Sequence, residues 1–298
     1  MTEPIEFAKL SGSGNDFICI DNRNGRHERL LADRTRIAAF ARALCHRGRG
    51  IGADGLILAC RPEIEEVAAI AARFFEADGS EAELCGNGTA CFVRWVGANR
   101  WGGPGETKIL TSAGIVRGLE CDDGYVRVCI PLPEKLQTDL ELTAGERTWT
   151  CDFAVTGVPH LVIYVPDVEE VDLARWGPAF RFHERFRPRG VNANFVQVLG
   201  EGRLAVRTWE FGVEGETLAC GTGSAAAAIL ASRRFGWPAP YRSSRQPILI
   251  RARSGQTLKV YLTEQPDGAI SDLCLETIVL FLYSGQVHPS LLTDAMEA

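Results

Sequence analysis

Two cysteines of this 298-residue chain stand in sequence surroundings that repeat. In each copy a strand-like segment runs through an acidic turn into Cys-Gly-x-Gly and then into a helix-like segment. The matched landmarks, in the same order, are Arg73, Glu81 and Cys85 in one copy and Arg207, Glu216 and Cys220 in the other. Two pseudo-equivalent halves of one fold explain this repeat most simply; coincidence in a glycine-rich chain is the alternative.

The position of both cysteines at a helix start predicts acid/base chemistry. Exposed N–H groups at a helix N-terminus carry partial positive charge, which stabilises anions and lowers the pKa of a thiol. Two such helix ends facing each other across a cleft would bind a carboxylate, with one thiol on either side of the neighbouring carbon. One thiolate could then remove a proton and the other thiol return one, inverting the centre without a metal or pyridoxal phosphate. From spacing alone, a purely structural pair of cysteines stays open.

The elements that must position these cysteines are many strands and a few helices. Helical periodicity predicts helices over residues 34–46, 86–101 and 221–235. Strands are predicted over 5–7, 17–21, 56–59 and 70–75, and alternating segments cover 108–132, 148–165, 193–199, 203–209 and 247–264. This mixture is typical of an α+β protein. Pro131 and Pro133 mark a break, so the two halves are expected to meet near residues 133–136.

Composition excludes some function classes. The formal net charge of −6 argues against nucleic acid or an anionic membrane as a partner. No segment is long and apolar enough to cross a bilayer, and the acidic N-terminus does not read as a signal peptide. The short apolar stretch 278–283 is predicted as a buried strand, and the basic stretch 181–189 as a solvated interdomain loop.

Ten cysteines are scattered along the chain, without a CxxC pair and without zinc-ligand spacing. This usage predicts a reducing cytoplasm and unpaired thiols, most of them small core residues. The cysteines outside the repeat are interpreted as structural: Cys19, Cys45, Cys60, Cys91, Cys121, Cys129, Cys151 and Cys274.

Several segments, in order along almost the whole chain, resemble the diaminopimelate epimerase family. They are FAK at 7–9 with GNDF at 14–17, DGSEA at 78–82, CGNG at 85–88, GVPH at 157–160 and GETLACGTG at 215–223. The resemblance implies an α+β fold of two pseudo-symmetric domains, each a β-rich barrel-like layer around a central helix. Residues 1–133 plus 277–298 would form one domain and residues 134–276 the other, with the active site in the interdomain cleft.

The resemblance also implies a two-base mechanism without cofactor or metal, in which Cys85 and Cys220 are the catalytic thiols. The ligand would be a small-molecule amino acid, and a homodimer is left open. The remaining site residues follow from motif positions: Gly86, Asn87, Gly221 and Thr222 at the helix ends, Asn15, Asn192 and Glu210 as retained substrate positions, and Asp78 and His160 as supporting residues.

The chain departs from the family pattern where the distal end of the substrate is bound. Glu76 and Val158 replace asparagines that are usual in the family, and Phe211 replaces an arginine. Because an arginine–carboxylate contact contributes a few kcal/mol in a dry site, these changes weaken binding of a distal carboxylate unless another arginine substitutes. The leading expectation is conversion of LL- to meso-diaminopimelate, a precursor of lysine and peptidoglycan. The alternative is a family racemase for an amino acid with a cationic, aromatic or neutral side chain.

Two further functions stay open at this point. One is a related isomerase with a single acid/base group, or a racemase acting on hydroxyproline. The other is a non-catalytic amino-acid-binding or thiol-sensing protein descended from the enzyme. The retained pair of thiols argues against the isomerase with a single acid/base group, and the survival of both Cys-Gly-x-Gly helix starts argues against the non-catalytic protein.

Overall fold

The computed structural model describes residues 4–63, 67–103, 105–288 and 291. The chain divides into two compact units. The first unit is formed by the chain before Cys129 and after Thr277, and the second unit by Cys129–Thr277. The described elements are mostly strands with few helices, which confirms the predicted α+β fold class.

In the first unit, predicted and observed elements agree closely. The predicted helix over 34–46 is Arg34–Cys45, and Asp33 caps it by accepting the backbone N–H groups of Thr35 and Arg36. The described strands are β1 (Ile5–Gly12), β2 (Asn15–Asp21), β3 (Gly55–Cys60), β4 (Ile70–Glu76), β5 (Glu81–Ala82), β6 (Thr107–Thr111), β7 (Gly114–Glu120) and β8 (Tyr125–Cys129). The helices are α1 (Glu28–Leu31), α2 (Arg34–Cys45) and α3 (Gly86–Ala98).

The second unit contains a similar set of elements. Its described strands are β9 (Glu134–Ala144), β10 (Arg147–Thr156), β11 (Val158–Tyr164), β12 (Asn192–Gly200), β13 (Arg203–Glu210), β14 (Gly215–Thr217), β15 (Ile248–Arg251), β16 (Thr257–Glu264) and the beginning of β17 (Ile270–Val287). The helices are α4 (Leu173–Arg181) and α5 (Gly221–Arg234). After Thr277, β17 belongs to the first unit.

The strands of the two units pair in the same order and with the same sense. In the first unit β1–β2 is antiparallel, β2–β3 parallel, β3–β4 and β4–β5 antiparallel, β4–β6 parallel and β6–β7 antiparallel. In the second unit β10–β11, β11–β12, β12–β13, β13–β14, β13–β15 and β15–β16 repeat that series pairing for pairing. The repeated motif in the sequence therefore belongs to a repeated topology.

A helix that is buried over most of its length is the central helix of each unit. In the first unit α3 packs against β1, β2 and β7. In the second unit α5 packs against β9 to β13, β15 and β16, and its alanines at 225–228 are fully buried. Small side chains let the strands approach α5 closely. The strands around α5 thus fix the position of this helix, which begins directly after Cys220.

The structure contradicts the expectations for residues 280–283 and for two of the cysteines. Residues 280–283 form part of β17 but are exposed rather than buried, with 45–50% of each side chain accessible, because this stretch pairs with β1 through its backbone without a described layer over these side chains. Cys129 and Cys274 are joined by a disulfide instead of remaining unpaired thiols. Their sequence separation of 145 residues hides the pairing, which arises because β8 and β17 are neighbouring strands.

None of the helices in the described part of the chain is both long enough and apolar enough to cross a membrane.

Candidate active site

Matched ion pairs fix the turn that precedes each cysteine. Arg73 Nε lies 2.7 Å from Glu81 Oε1, and Arg207 Nε lies 2.6 Å from Glu216 Oε1. In both pairs the second guanidinium nitrogen reaches the second carboxylate oxygen at 2.9 Å. Such two-point contacts set orientation as well as distance. The short strands β5 and β14 are therefore held in the same way, each just before its cysteine.

Cys85 is the N-cap residue of α3. Its backbone is extended, and its Sγ accepts the N–H of Gly88 at 3.4 Å. Its carbonyl oxygen accepts the N–H and the hydroxyl of Thr89, which closes the first turn. The thiol is reduced and half-buried. A thiol in contact with a helix-start amide is in the environment that favours the thiolate.

Asn15 and Asn87 are oriented by a chain of hydrogen bonds in the first unit. Asn87 Nδ2 donates to Asn15 Oδ1 at 2.8 Å, and Asn15 Nδ2 donates to Asp54 Oδ2 at 3.2 Å. Asp54 is held by Arg47 at 2.8 Å. Asn87 and Gly86 are the first residues of α3 after Cys85, so the predicted site residues Asn15, Gly86 and Asn87 lie together.

Glu76 lies at the end of β4, and Asp78 lies in the exposed turn that follows it. The Asp78 carboxylate accepts the backbone N–H and the hydroxyl of Ser80, at 2.8 and 2.6 Å, and these bonds lower the pKa of that carboxyl. Glu76 ends β4, and its backbone N–H donates to Ser80 O. The described contacts of Asp78 therefore stabilise the turn itself.

Cys220 is the N-cap residue of α5, so it repeats the position of Cys85. It is reduced and buried, and its carbonyl oxygen accepts the N–H of Ser224 at 2.9 Å. Burial raises the pKa of the Glu210 carboxyl, whereas hydrogen bonds from Thr217 and from the Cys220 thiol lower it. Glu210 is thus placed to accept the proton of this thiol.

A second group of residues contacts Cys220 through Thr222. Thr222 Oγ1 lies 3.6 Å from Cys220 Sγ and 3.0 Å from His160 Nε2. Burial lowers the pKa of His160 to about 3, so this imidazole is neutral at physiological pH. The predicted site residues Gly221, Thr222, His160 and Glu210 therefore surround Cys220.

Phe211 follows Glu210 and is 41% exposed. Its backbone N–H donates to Asn192 Oδ1 at 2.6 Å. The guanidinium carbon of Arg181 lies 4.3 Å from the centre of the Phe211 ring, and that of Arg189 lies 5.8 Å from it. Two arginines therefore adjoin the position that lacks the arginine usual in the family.

Arg181 does not lie in a solvated loop, as the sequence had suggested. It ends α4, is buried, and pairs with Glu214 at 2.9 Å. This ion pair, and a hydrogen bond that the guanidinium donates to the carbonyl oxygen of Arg189, satisfy the buried charge of Arg181. Arg189 itself is exposed. Val158, the remaining departure from the family, begins β11 and pairs with Thr156.

Sequence reasoning missed Asn194, which contacts His160. The available signal was the Asn-x-Asn spacing on β12, because residues two apart lie on the same face of a strand. Asn192 and Asn194 are both buried. Two buried amides on one strand face require hydrogen-bonding partners, and here those partners belong to the site.

Each unit thus presents one thiol at the start of its central helix. In chemical terms, each helix start can bind an anionic group and each thiol can give or take a proton. The second unit adds a carboxylate, a hydroxyl and a neutral imidazole around its thiol.

Comparisons with known proteins agree with this arrangement. The family model for diaminopimelate epimerase matches residues 7–130 and 153–259. The diaminopimelate epimerase of Aquifex aeolicus is 38% identical over 290 residues, covering 97% of this chain and 99% of that protein. The diaminopimelate epimerase of Methanocella arvoryzae is 41% identical over 237 residues, covering 76% of this chain and 81% of that protein.

Solved structures show the same fold at low sequence identity. A hydroxyproline epimerase from Agrobacterium vitis superposes with a TM-score of 0.72 at 14% identity, covering 100% of this chain and 99% of that one. A PhzF-family phenazine biosynthesis protein from Bacillus anthracis gives a TM-score of 0.69 at 14% identity, covering 96% and 100%. With the matched family model and the close relatives, these findings show that the chain belongs to the diaminopimelate epimerase family, whose members are isomerases.

Proposed function

We propose that this protein inverts one α-carbon of diaminopimelate, converting the LL- to the meso-isomer, with Cys85 and Cys220 as the two acid/base groups. The observation that carries the proposal is the duplicated helix start: two reduced thiols occupy the same N-cap position in two units of the same topology. An inversion by proton exchange needs one such group on each face of the carbon, and a duplicated fold supplies two.

The proposed reaction keeps its protons balanced. The helix-start amides at Gly86, Asn87, Gly221 and Thr222 bind the α-carboxylate and stabilise the negative charge that develops when the α-proton leaves. The thiolate on one side takes that proton, and the thiol on the other side gives its own proton to the opposite face. At the end the two sulfur atoms have exchanged protonation states. Glu210, in contact with Cys220, can set which state that sulfur starts in.

The choice of substrate follows from the relatives. The proteins of A. aeolicus and M. arvoryzae are diaminopimelate epimerases by name, and this similarity does not favour the alternative of a racemase for another amino acid. The departures at Glu76, Val158 and Phe211 had suggested that alternative. Arg189, exposed beside the Phe211 ring, supports a distal carboxylate as the group bound there.

A substrate panel tests the proposed function. The purified, reduced protein is incubated with LL-diaminopimelate and, separately, with L-lysine, L-arginine, L-phenylalanine and trans-4-hydroxy-L-proline, and the stereoisomers are separated by chiral chromatography. We expect inversion of diaminopimelate at a kcat/KM at least about a hundredfold above that for the amino acids with one carboxylate, since the missing contact is charge-assisted. Faster inversion of any other amino acid would overturn the substrate assignment.

The role of Arg189 gives a separate prediction. Arg189→Ala is expected to raise KM for diaminopimelate about tenfold, equivalent to 1.4 kcal/mol, with little change in kcat, because the distal contact is present in both ground and transition states. Arg185→Ala is the matched control, since Arg185 lies in the same basic stretch but has no described contact with Phe211. An unchanged KM in Arg189→Ala would exclude this arginine from substrate binding.

We also infer that the enzyme works in the cytoplasm, within synthesis of a lysine and peptidoglycan precursor. The support is chemical, because a reducing compartment keeps catalytic thiols such as Cys85 and Cys220 reduced; the Cys129–Cys274 disulfide is the one feature of the described chain that runs against this inference.

A further inference from the structure

The hydrogen bonds of Asn194 determine which way its side-chain amide faces. Its Nδ2 donates to the carbonyl oxygens of Leu161 and Asn192, at 2.9 and 3.3 Å, and its Oδ1 accepts the hydroxyl of Thr208 at 2.9 Å. Carbonyl oxygens only accept hydrogen bonds, so the NH₂ group must be the side of the amide that faces them. The orientation of Asn194 is therefore fixed from both sides.

Asn194 in turn determines the tautomer of His160. The same Nδ2 lies 3.2 Å from His160 Nδ1. The NH₂ group has two hydrogens for these three neighbours, so one hydrogen is shared between Asn192 O and His160 Nδ1; because the amide nitrogen accepts no hydrogen bond, His160 Nδ1 is an acceptor and carries no hydrogen. In a neutral imidazole the hydrogen is then on Nε2, which faces Thr222 Oγ1 at 3.0 Å. His160 is fully buried among these partners, so solvent does not compete for either nitrogen.

The tautomer of His160 prevents the Thr222 hydroxyl from donating to the imidazole, so the hydroxyl is available to donate to its other described partner, Cys220 Sγ. Thr222 Oγ1 accepts the hydrogen of His160 Nε2, and Cys220 Sγ lies 3.6 Å from the same oxygen. A hydroxyl that donates to sulfur stabilises the thiolate relative to the thiol. Among the described contacts within the second unit, the titratable groups that face Cys220 are Glu210 from β13 and, through Thr222, His160 from β11.

Close packing at the start of α5 brings the Asn194 amide and the Cys220 sulfur against the same glycine. A Cβ added at Gly223 would lie 2.2 Å from Asn194 Oδ1 and 3.3 Å from Cys220 Sγ. Only glycine at this position lets the Asn194 amide and the sulfur approach the same turn of the helix.

We propose that Asn194 is a positioning residue for the Cys220 thiol: through the tautomer of His160 it directs the Thr222 hydroxyl to donate to Cys220 Sγ. This inference rests on the proposed function for its catalytic meaning, but its geometry can be tested without any substrate. Asn194→Asp would reverse the direction of the hydrogen bonds that run from residue 194 through His160 to Thr222. A carboxylate only accepts, so the hydrogen of His160 would move to Nδ1 and Nε2 would become an acceptor. The Thr222 hydroxyl would then donate to Nε2 instead of to the sulfur.

The first experiment measures site-resolved alkylation by iodoacetamide in the whole reduced protein, at a fixed pH near neutrality. Mass spectrometry of the tryptic peptides gives separate rates for Cys220 and Cys85, and Cys85 serves as the internal control. We expect Thr222→Val to slow alkylation of Cys220 about threefold relative to Cys85, because a rise of one pKa unit lowers the thiolate fraction about tenfold while making the remaining thiolate about threefold more nucleophilic. Thr222→Ser, which keeps the hydroxyl, should restore the ratio to that of the original protein.

The second experiment reads the tautomer directly by ¹⁵N NMR of labelled histidine, with the His160 signal assigned by its loss in His160→Gln. We expect a hydrogen on Nε2 in the original protein and on Nδ1 in Asn194→Asp, with Cys220 alkylation slowed as in Thr222→Val. A hydrogen on Nδ1 in the original protein, or an unchanged Cys220 rate in Thr222→Val, would overturn the inference. Both of these measurements can be made even if Asn194→Asp does not fold, and neither depends on whether diaminopimelate is the substrate.

Discussion

Alanine in place of either Cys85 or Cys220 is expected to lower kcat/KM for inversion of diaminopimelate by about three orders of magnitude. Each thiol is the only proposed proton carrier on its side of the α-carbon, so its loss removes one of the two proton transfers that inversion needs in either direction. Loss of one thiol leaves the other able to remove and return a proton on its own face. Each variant should therefore retain α-proton exchange with solvent for one configuration of the substrate, and the two variants should retain opposite configurations.

Chiral chromatography measures inversion in these variants, and NMR in heavy water measures exchange. Cys121→Ala is the matched control, because Cys121 is a reduced, partly exposed thiol that follows β7 and lies outside the repeated motif. It should keep activity within about twofold, as expected for a surface substitution. Inversion at the original rate after loss of either Cys85 or Cys220 would contradict the two-thiol mechanism.

The largest expected change in stability concerns a buried carboxylate behind α5. Asp152 is fully buried, pairs with Arg234 at 2.8 Å, and accepts the Tyr164 hydroxyl at 3.0 Å. Arg234→Met is expected to lower the free energy of unfolding of the second unit by about 3–5 kcal/mol, because it leaves this charge buried without its cation. Arg234 lies in the last turn of α5, where a cation also complements the helix dipole.

Hydrogen–deuterium exchange of the peptide covering α5 measures this effect locally, which avoids assuming that both units unfold together. Two further variants distinguish the cost of leaving a buried charge unpaired from the cost of losing an exposed ion pair. Asp139→Ala removes the exposed partner of Arg234 and should cost less than about 1 kcal/mol. Asp152→Asn combined with Arg234→Met should recover much of the loss, because no buried charge remains. Equal protection of α5 in Arg234→Met and the original protein would contradict this account.

Local patterns in the sequence carry much of the fold and part of the site. The helix starts after Cys85 and Cys220 were predictable because a strand, an acidic turn and Cys-Gly-x-Gly are contiguous, and the helices begin where predicted, at Gly86 and Gly221. Their C-terminal ends fall short of the predicted ones by three residues and one residue, since periodicity defines a helix end poorly.

What the sequence did not reveal depends on which strands become neighbours. The Cys129–Cys274 disulfide joins strands far apart in the chain. Arg181 is buried because Glu214, 33 residues away, comes to lie beside it. The role proposed for Asn194 depends on contacts with residues on β11 and α5, which no local pattern places beside β12. Each of these cases needs the register of the sheet, which side-chain periodicity alone does not determine.

The early distribution of deuterium tests the proposed pair of thiols most directly. LL-diaminopimelate is incubated with the reduced enzyme in heavy water, and the reaction is stopped at a few per cent conversion. If two different sulfur atoms serve the two faces, the meso product carries solvent deuterium at the inverted carbon while the remaining LL-substrate carries almost none. Substrate that gains deuterium as fast as product forms, or product that keeps its original hydrogen, would show that a single group serves both faces and would contradict the account.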